Sequence, residues 1–140
     1  MRKKHVIIIA ITLFLVLPMI YFWPVIKVLT GGNASYTERD EEYYQLLTDD
    51  IIKKCPRISE NYEFAYATVD GPAIEVSSVT FHGSNDVQSI RNYLNSIGFT
   101  FNRAEDNGEY WISDKTKKNV FIWSTNNPKT TIIQVLDKME

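Results

Sequence analysis

The chain has 140 residues, enough for one domain and a short appendage. Four of its 15 basic residues and none of its 17 acidic residues fall within residues 1–34, which leaves 11 against 17 and a formal charge of −6 for the remainder. This acidic balance argues against a nucleic-acid partner, because nucleic-acid-binding proteins present a basic face. The single cysteine, Cys55, excludes an intramolecular disulfide.

Residues 6–26 form an uncharged, apolar run of 21 residues. As an α-helix such a run extends about 31 Å, which matches the roughly 30 Å hydrocarbon layer of a bilayer. It is longer than the roughly 7–15 apolar residues of a secretory signal, and its terminal aromatic residues suit the headgroup zone. We therefore predict a retained transmembrane anchor over residues 6–29, preceded by a basic tip over residues 1–5.

The flanking charges predict how the anchor is oriented. Arg2, Lys3 and Lys4 precede it, whereas an acidic cluster begins at Glu38, and positively charged flanks stay in the cytoplasm. We expect a single-pass protein of the inner (cytoplasmic) membrane, with a cytoplasmic N-terminus and a periplasmic or extracellular C-terminal domain. The alternative is cleavage after Ala34, which would release a soluble secreted domain.

The next segment predicts a linker followed by a helix. Residues 30–35 are typical of a short flexible linker, so the folded domain should occupy residues 36–140. Thr37 is a suitable N-cap and Pro56 a suitable stop for one continuous helix. Its buried stripe is predicted to contain Tyr44, Leu47, Ile51 and Cys55.

Two strands and a turn are predicted after this helix. Bulky and small residues alternate in residues 62–69, which is typical of a strand with its aromatic residues on one face. Residues 70–72 predict a turn, and residues 73–82 predict a second strand. The apolar positions of the second strand change face at Ser77 and Ser78, which predicts a one-residue β-bulge there.

A second helix is predicted between Ser84, an N-cap, and Gly98, a C-terminal stop. Its buried stripe is predicted to contain Val87, Ile90, Leu94 and Ile97. Four further strands are predicted at residues 99–103, 109–114, 119–124 and 130–137. Short polar links join these strands and favour antiparallel hairpins.

The predicted order of elements in the domain is α-β-β-α-β-β-β-β. Two helices and short hairpin links favour the α+β class, in which a twisted antiparallel sheet packs against helices. The whole chain is therefore predicted to be a single N-terminal transmembrane helix followed by a small α+β domain.

The sequence gives little support to catalysis. The predicted domain has one histidine, His82, and it lacks a G-x-S-x-G nucleophile motif, a phosphate-binding glycine loop and a metal-ligand spacing. We expect a non-enzymatic protein without a cofactor or a bound metal. The alternative is a hydrolase directed at the cell wall, with His82 or one of the carboxylate pairs Asp49-Asp50 and Glu105-Asp106 as its catalytic groups.

Aromatic and basic residues of one predicted hairpin are the candidates for partner binding. If the loop of this hairpin holds four residues, Tyr110 faces Trp123, and Trp111 lies on the opposite side of the sheet. One tryptophan is then a candidate surface anchor, and the alternative is that both belong to the core. Three lysines form a basic tip that suits an acidic partner or lipid headgroups. The candidate residues are Tyr110, Trp111, Trp123, Lys115, Lys117 and Lys118.

These features together predict a membrane-tethered, non-enzymatic protein-binding module outside the cytoplasm. Its small size, its anchor and its acidic charge suit an inhibitor, such as an immunity protein that neutralises a toxin acting on the cell envelope. The alternative is an accessory subunit of an envelope assembly. Both hypotheses require a protein partner, and neither requires a small-molecule cofactor.

Overall fold

The computed structural model describes residues 1–29, 32–69 and 71–139. The chain divides into two compact units, Met1–Gly32 and Asn33–Glu140. The first unit contains helices α1 (Arg2–Tyr21) and α2 (Trp23–Leu29). Helix α1 is long and apolar enough to span a membrane, and a signal sequence near the N-terminus would have the same properties.

Helix α1 begins at Arg2, four residues before the predicted anchor. Residues 2–5 of the predicted basic tip therefore form the first turn of the helix. Pro18 lies inside α1, and the helix ends three residues later at Tyr21. The amide of Phe22 donates to the carbonyl of Pro18 at 2.9 Å. Phe22 is the one residue that separates α1 from α2.

The described part of the second unit contains seven strands and three helices. The strands are β1 (Ala34–Tyr36), β2 (Asn61–Val69), β3 (Ile74–His82), β4 (Thr100–Glu105), β5 (Gly108–Ile112), β6 (Asn119–Asn126) and β7 (Lys129–Lys138). The helices are α3 (Glu41–Leu47), α4 (Asp50–Lys53) and α5 (Val87–Ser96). All neighbouring strands pair antiparallel, in the spatial order β1-β2-β3-β7-β6-β5-β4. The predicted α+β class is confirmed, but the observed order is β-α-α-β-β-α-β-β-β-β.

The predicted single helix between Thr37 and Pro56 is wrong. Thr37 and Asp40 form a hydrogen-bonded turn before α3, with the Thr37 amide donating to Asp40 Oδ2 at 2.9 Å. The chain then leaves the helix at Thr48 and starts α4, whose N-cap is Asp49. As a result Ile52, rather than the predicted Ile51, is the fully buried residue of this segment.

Two long-range contacts explain this break. The buried hydroxyls of Tyr36 and Thr48 are hydrogen-bonded at 2.9 Å. The Asp49 amide donates to Ser77 Oγ at 3.0 Å, and Asp49 Oδ1 accepts from the Ile51 amide at 2.8 Å. Strand β3 therefore accepts from a backbone amide that a continuous helix would satisfy internally, and β1 holds the side chain of Thr48.

The predicted linker over residues 30–35 is too long. Ala34 and Ser35 belong to β1, where they pair with Tyr66 and Ala65 of β2. Residues 30 and 31 lie outside the described residues. A strand of three residues is too short to show the alternation by which strands are recognised.

The predicted β-bulge at Ser77 and Ser78 is absent, because the described β2 and β3 pair without interruption. Both serines are buried, on opposite faces of β3, and both are hydrogen-bonded. Ser77 accepts from Asp49, and Ser78 donates to the carbonyl of Ala65 at 3.4 Å. Residue 70 of the predicted turn lies outside the described residues, and Gly71 begins the described part of that turn with a φ of +90°.

The core of the second unit lies between the sheet and its helices. The sheet face that carries Ser77, Val79 and Phe81 packs against α3, α4 and α5, and we call it the inner face. Fully buried residues on the sheet side are Phe64, Val79, Phe81, Val120, Ile122, Thr131, Ile133 and Val135. Those on the helix side are Ile52, Ile90 and Leu94.

Cys55 is buried in this core, as predicted. Burial raises the pKa of the Cys55 thiol to about 12, so the sulfur stays protonated at neutral pH.

Strand β4 forms one edge of the sheet. All six of its residues are exposed, and Phe101 is 53% exposed. A bulge between Phe101 and Arg103 interrupts its pairing with β5. The opposite edge is the three-residue strand β1.

Candidate functional site

The six candidate residues do not form one cluster. Trp111 lies on the inner face, and Tyr110 and Trp123 lie on the opposite face, which we call the outer face. The three lysines belong to residues 113–118, which connect β5 to β6 and which we call the lysine loop.

Trp111 is 4% exposed and belongs to the core, an alternative that the sequence left open. Its indole nitrogen donates to Glu109 Oε2 at 3.1 Å. Arg91 Nε contacts both carboxylate oxygens of Glu109 at 3.1 Å, and Arg91 Nη2 forms an ion pair with the same group. The hydrogen bond from Arg91 holds the pKa of Glu109 below its ordinary value, although burial opposes this effect. These three residues therefore connect α5 to β5.

The outer face carries a row of half-buried aromatic residues. Tyr110 pairs with Phe121, with ring centroids 4.7 Å apart, and Trp123 pairs with Gly108. The predicted pairing of Tyr110 with Trp123 is two residues out of register, because the loop holds six residues instead of four. Both aromatic residues nevertheless lie on the predicted common face.

Two of these aromatic residues are in contact with residues of neighbouring strands. The Phe121 ring lies over Gly108, where a Cβ atom would overlap it. The Arg103 guanidinium lies 4.2 Å from the centroid of the Tyr110 ring. The outer-face row is therefore packed against its own neighbours.

The lysine loop borders a groove of about 340 Å³. Helix α4 and the C-terminal end of α5 form its other two sides. The apolar lining consists of Ile51, Tyr93, Ile97 and Phe99. The polar lining consists of Asp50, Lys54, Ser113, Lys115, Thr116 and Lys118.

Three contacts between its walls hold the groove in shape. The Tyr93 hydroxyl donates to the carbonyl of Ile51 at 2.8 Å and joins α5 to α4. Lys118 Nζ forms an ion pair with Asp49 and joins the lysine loop to α4. The Lys115 side chain lies 3.4 Å from the point where a Cβ on Gly98 would stand, so it packs on the end of α5.

The lysines that line the groove differ in their charge partners. Partial burial of Lys118 lowers the pKa of its ammonium group. The hydrogen bond and charge of Asp49, together with the charges of Asp137 and Asp50, outweigh this effect, so the pKa of Lys118 is raised. Lys54 and Lys115 make no ion pair with another described residue. Two of the three lysines therefore carry a charge that no described carboxylate pairs with. Lys117 does not line the groove.

The residues proposed for a hydrolase lie in separate places. His82 Nε2 is 3.2 Å from Glu63 Oε1, and the hydroxyl of Ser59 donates to the carbonyl of His82 instead of its ring. Asp49 is engaged as an N-cap, and Glu105 lies 3.6 Å from Arg103 at the exposed edge. Within residues 1–29, 32–69 and 71–139, no three His, Cys, Asp or Glu side chains are grouped to hold a metal ion.

No protein family, curated protein or solved structure matches the chain.

Sequence reasoning did not find the groove, although it singled out two of its lysines. The apolar part depends on Ile97, which falls on the predicted buried stripe of α5 but is 38% exposed. Ile97 directly precedes Gly98, whose φ of +93° turns the chain at the end of α5. The signal in the sequence that could have indicated an exposed apolar residue here was the position of Ile97, directly before the glycine that ends the helix.

Proposed function

We propose that this chain is a membrane-tethered, non-enzymatic protein-binding module whose domain lies outside the cytoplasm. The groove beside the lysine loop is the observation that carries this proposal. Its volume lies near the lower end of the roughly 300–1,000 Å³ that is usual for pockets that bind small molecules, and its lining combines an apolar floor with six polar residues. Contacts between its walls hold it in shape, which reduces the ordering cost of binding.

Helix α1 supports the tether. Its 20 residues carry charge only at the N-terminal end, where Arg2, Lys3 and Lys4 favour a cytoplasmic location. The intact mass of the chain purified from membranes tests this assignment. We expect the full-length mass, whereas a product that begins at Ser35 would make the protein a secreted domain.

We propose an inhibitor as the role of this module, such as an immunity protein that occupies a toxin delivered to the envelope. The net charge of −6 outside the first 34 residues supports a partner that is basic as a whole, because complementary net charges accelerate encounter.

Site-specific photocrosslinking tests the binding function. A photoreactive residue replaces Ile97 in the groove of the full-length chain, and a matched control replaces Lys129, an exposed residue of β7 outside the groove. We expect one protein to be captured in native membranes from Ile97 and not from Lys129. A soluble, basic protein would support the inhibitor role, and an integral membrane protein would favour an accessory subunit. The absence of any capture specific to Ile97 would contradict the proposal.

A further inference from the structure

We infer that the groove beside the lysine loop binds an acidic segment of the partner protein, in which carboxylates flank one apolar side chain. This inference rests on the proposed function, because it gives the partner chemistry of the same groove. The inference concerns only the segment of the partner that enters the groove. The net charge of the domain acts on the charge of the whole partner during its approach, so a partner that is basic as a whole can still carry this acidic segment.

The apolar lining provides the place for the apolar side chain. Phe99 is buried at the floor, and Ile97 leaves 38% of its surface exposed. The Tyr93 ring is held in position by its hydrogen bond to Ile51. Covering the exposed part of Ile97 with an apolar group is favourable, because it removes apolar surface from water.

The available charges provide the place for the carboxylates. Lys54 and Lys115 stand on two different walls of the groove, and neither forms an ion pair with a described residue. Lys118 is already paired with Asp49, and the charge of Asp50 acts on Lys118. A carboxylate on each side of an apolar residue would therefore meet Lys54 and Lys115.

Among the described residues that line the groove there is one carboxylate, that of Asp50, against three lysines. The cluster Glu38, Asp40, Glu41 and Glu42 lies at the start of α3 and does not line the groove. At physiological ionic strength the Debye length is about 8 Å, so exposed charges farther than this from the groove are largely screened. A basic segment, in contrast, would place like charges beside Lys54 and Lys115.

Peptide binding to the full-length protein in detergent micelles tests the inference. The probe is a fluorescent peptide with one leucine between pairs of glutamates, and its counterparts carry glutamine or lysine in place of glutamate. We expect the glutamate peptide to bind about tenfold more tightly than the glutamine peptide, because two partly exposed ion pairs contribute about this much.

Charge reversal in the groove provides the matched variants. The double variant Lys54→Glu and Lys115→Glu is expected to lose the preference for the glutamate peptide and to bind the lysine peptide instead. Lys129→Glu makes a charge reversal outside the groove and should leave the preference unchanged. Ile97→Ser should weaken binding of the glutamate peptide, and circular dichroism checks that each variant is folded.

Three results would overturn the inference. They are equal binding of the glutamate and glutamine peptides, a preference that the double variant retains, and no binding of the glutamate peptide at millimolar concentration. Binding of anionic lipid vesicles through Lys54 and Lys115 without peptide binding would overturn it as well. A partner crosslinked at Ile97 through a segment without carboxylates would leave the proposed function standing and remove only this inference.

Discussion

The guanidinium group of Arg57 binds backbone carbonyls at the C-terminal end of helix α4. Its Nη1 donates to the carbonyls of Ile52 at 2.9 Å and Cys55 at 3.1 Å, and its Nη2 donates to the carbonyl of Lys53 at 3.3 Å. The same group forms an ion pair with Glu38 at 3.0 Å. One side chain therefore donates to three backbone carbonyls at the end of the helix, of which that of Ile52 also accepts from the Cys55 amide.

We expect Arg57→Ala to lower the free energy of unfolding by about 2 kcal/mol, because several hydrogen bonds to a charged donor are lost at once. Arg57→Lys should recover only part of this loss, since an ammonium group lacks the planar arrangement of donors. Urea unfolding measures both variants. Arg103→Ala, a change at an exposed arginine, is the control and should cost less than about 1 kcal/mol. Equal losses for Arg57→Ala and Arg103→Ala would contradict the assigned role.

Glu109 makes the stability of the domain depend on pH in the acidic range. The hydrogen bond from Arg91 lowers the pKa of Glu109, so its carboxylate stabilises the fold at pH values above the ordinary glutamate pKa. This contribution is lost as the pH falls through the lowered pKa of the folded state. We expect the stability difference between the wild-type chain and Glu109→Gln to shrink over this acidic range, as measured by urea unfolding at a series of pH values. A difference that stays constant with pH would contradict the ion pair.

At the scale of elements, the break between α3 and α4 depends on Asp49. Its carboxylate caps α4 through the Ile51 amide and also pairs with Lys118 of the lysine loop. Asn retains the capping oxygen but loses the charge, whereas Ala loses both. We expect Asp49→Ala to be less stable than Asp49→Asn by about 1 kcal/mol in urea unfolding. Equal stability of the two variants would mean that the cap contributes nothing.

The elements that could be predicted from the sequence are those with a local pattern. Strand β2 was predicted within one residue from its alternation, and α5 from its apolar stripe and the stop at Gly98. The break at Asp49 could not be predicted, because Ser77, which accepts from its amide, lies 28 residues away. Tyr36 and Thr48 are likewise joined only by the fold.

The candidate site was less predictable than the fold. Lys115, Lys117 and Lys118 were visible as a cluster in the sequence, but only the structure separates Lys118, which is paired with Asp49, from Lys115, and only the structure adds Lys54 to the groove. The groove brings together three elements that are far apart along the chain. Trp111 shows the same limit, because a tryptophan in a strand has the same sequence pattern on a buried face and on an exposed face.

At the scale of the whole molecule, the chain divides into two units, and the proposed function assigns the tether to the first unit and partner binding to the second. We expect that replacing residues 6–29 with an unrelated apolar helix of the same length leaves capture of the partner through Ile97 unchanged. The physical reason is that every described residue of the groove belongs to the second unit. Photocrosslinking of the exchanged protein in membranes measures this. Loss of capture, with the protein still in the membrane, would favour an accessory subunit whose anchor contacts its partners.

The bulge in β4 has a consequence for the behaviour of many copies. An exposed edge strand invites pairing with the edge of another molecule, and irregular or charged edges resist it. Proteins confined to a membrane surface meet one another more often than proteins that diffuse in three dimensions, so a regular edge would lead to sheet-to-sheet aggregation. In β4 the bulge beside Phe101 and the charges of Arg103 and Glu105 interrupt the template for pairing. If the domain is tethered as proposed, its irregular edge would allow many copies to be crowded on a membrane surface and still remain dispersed.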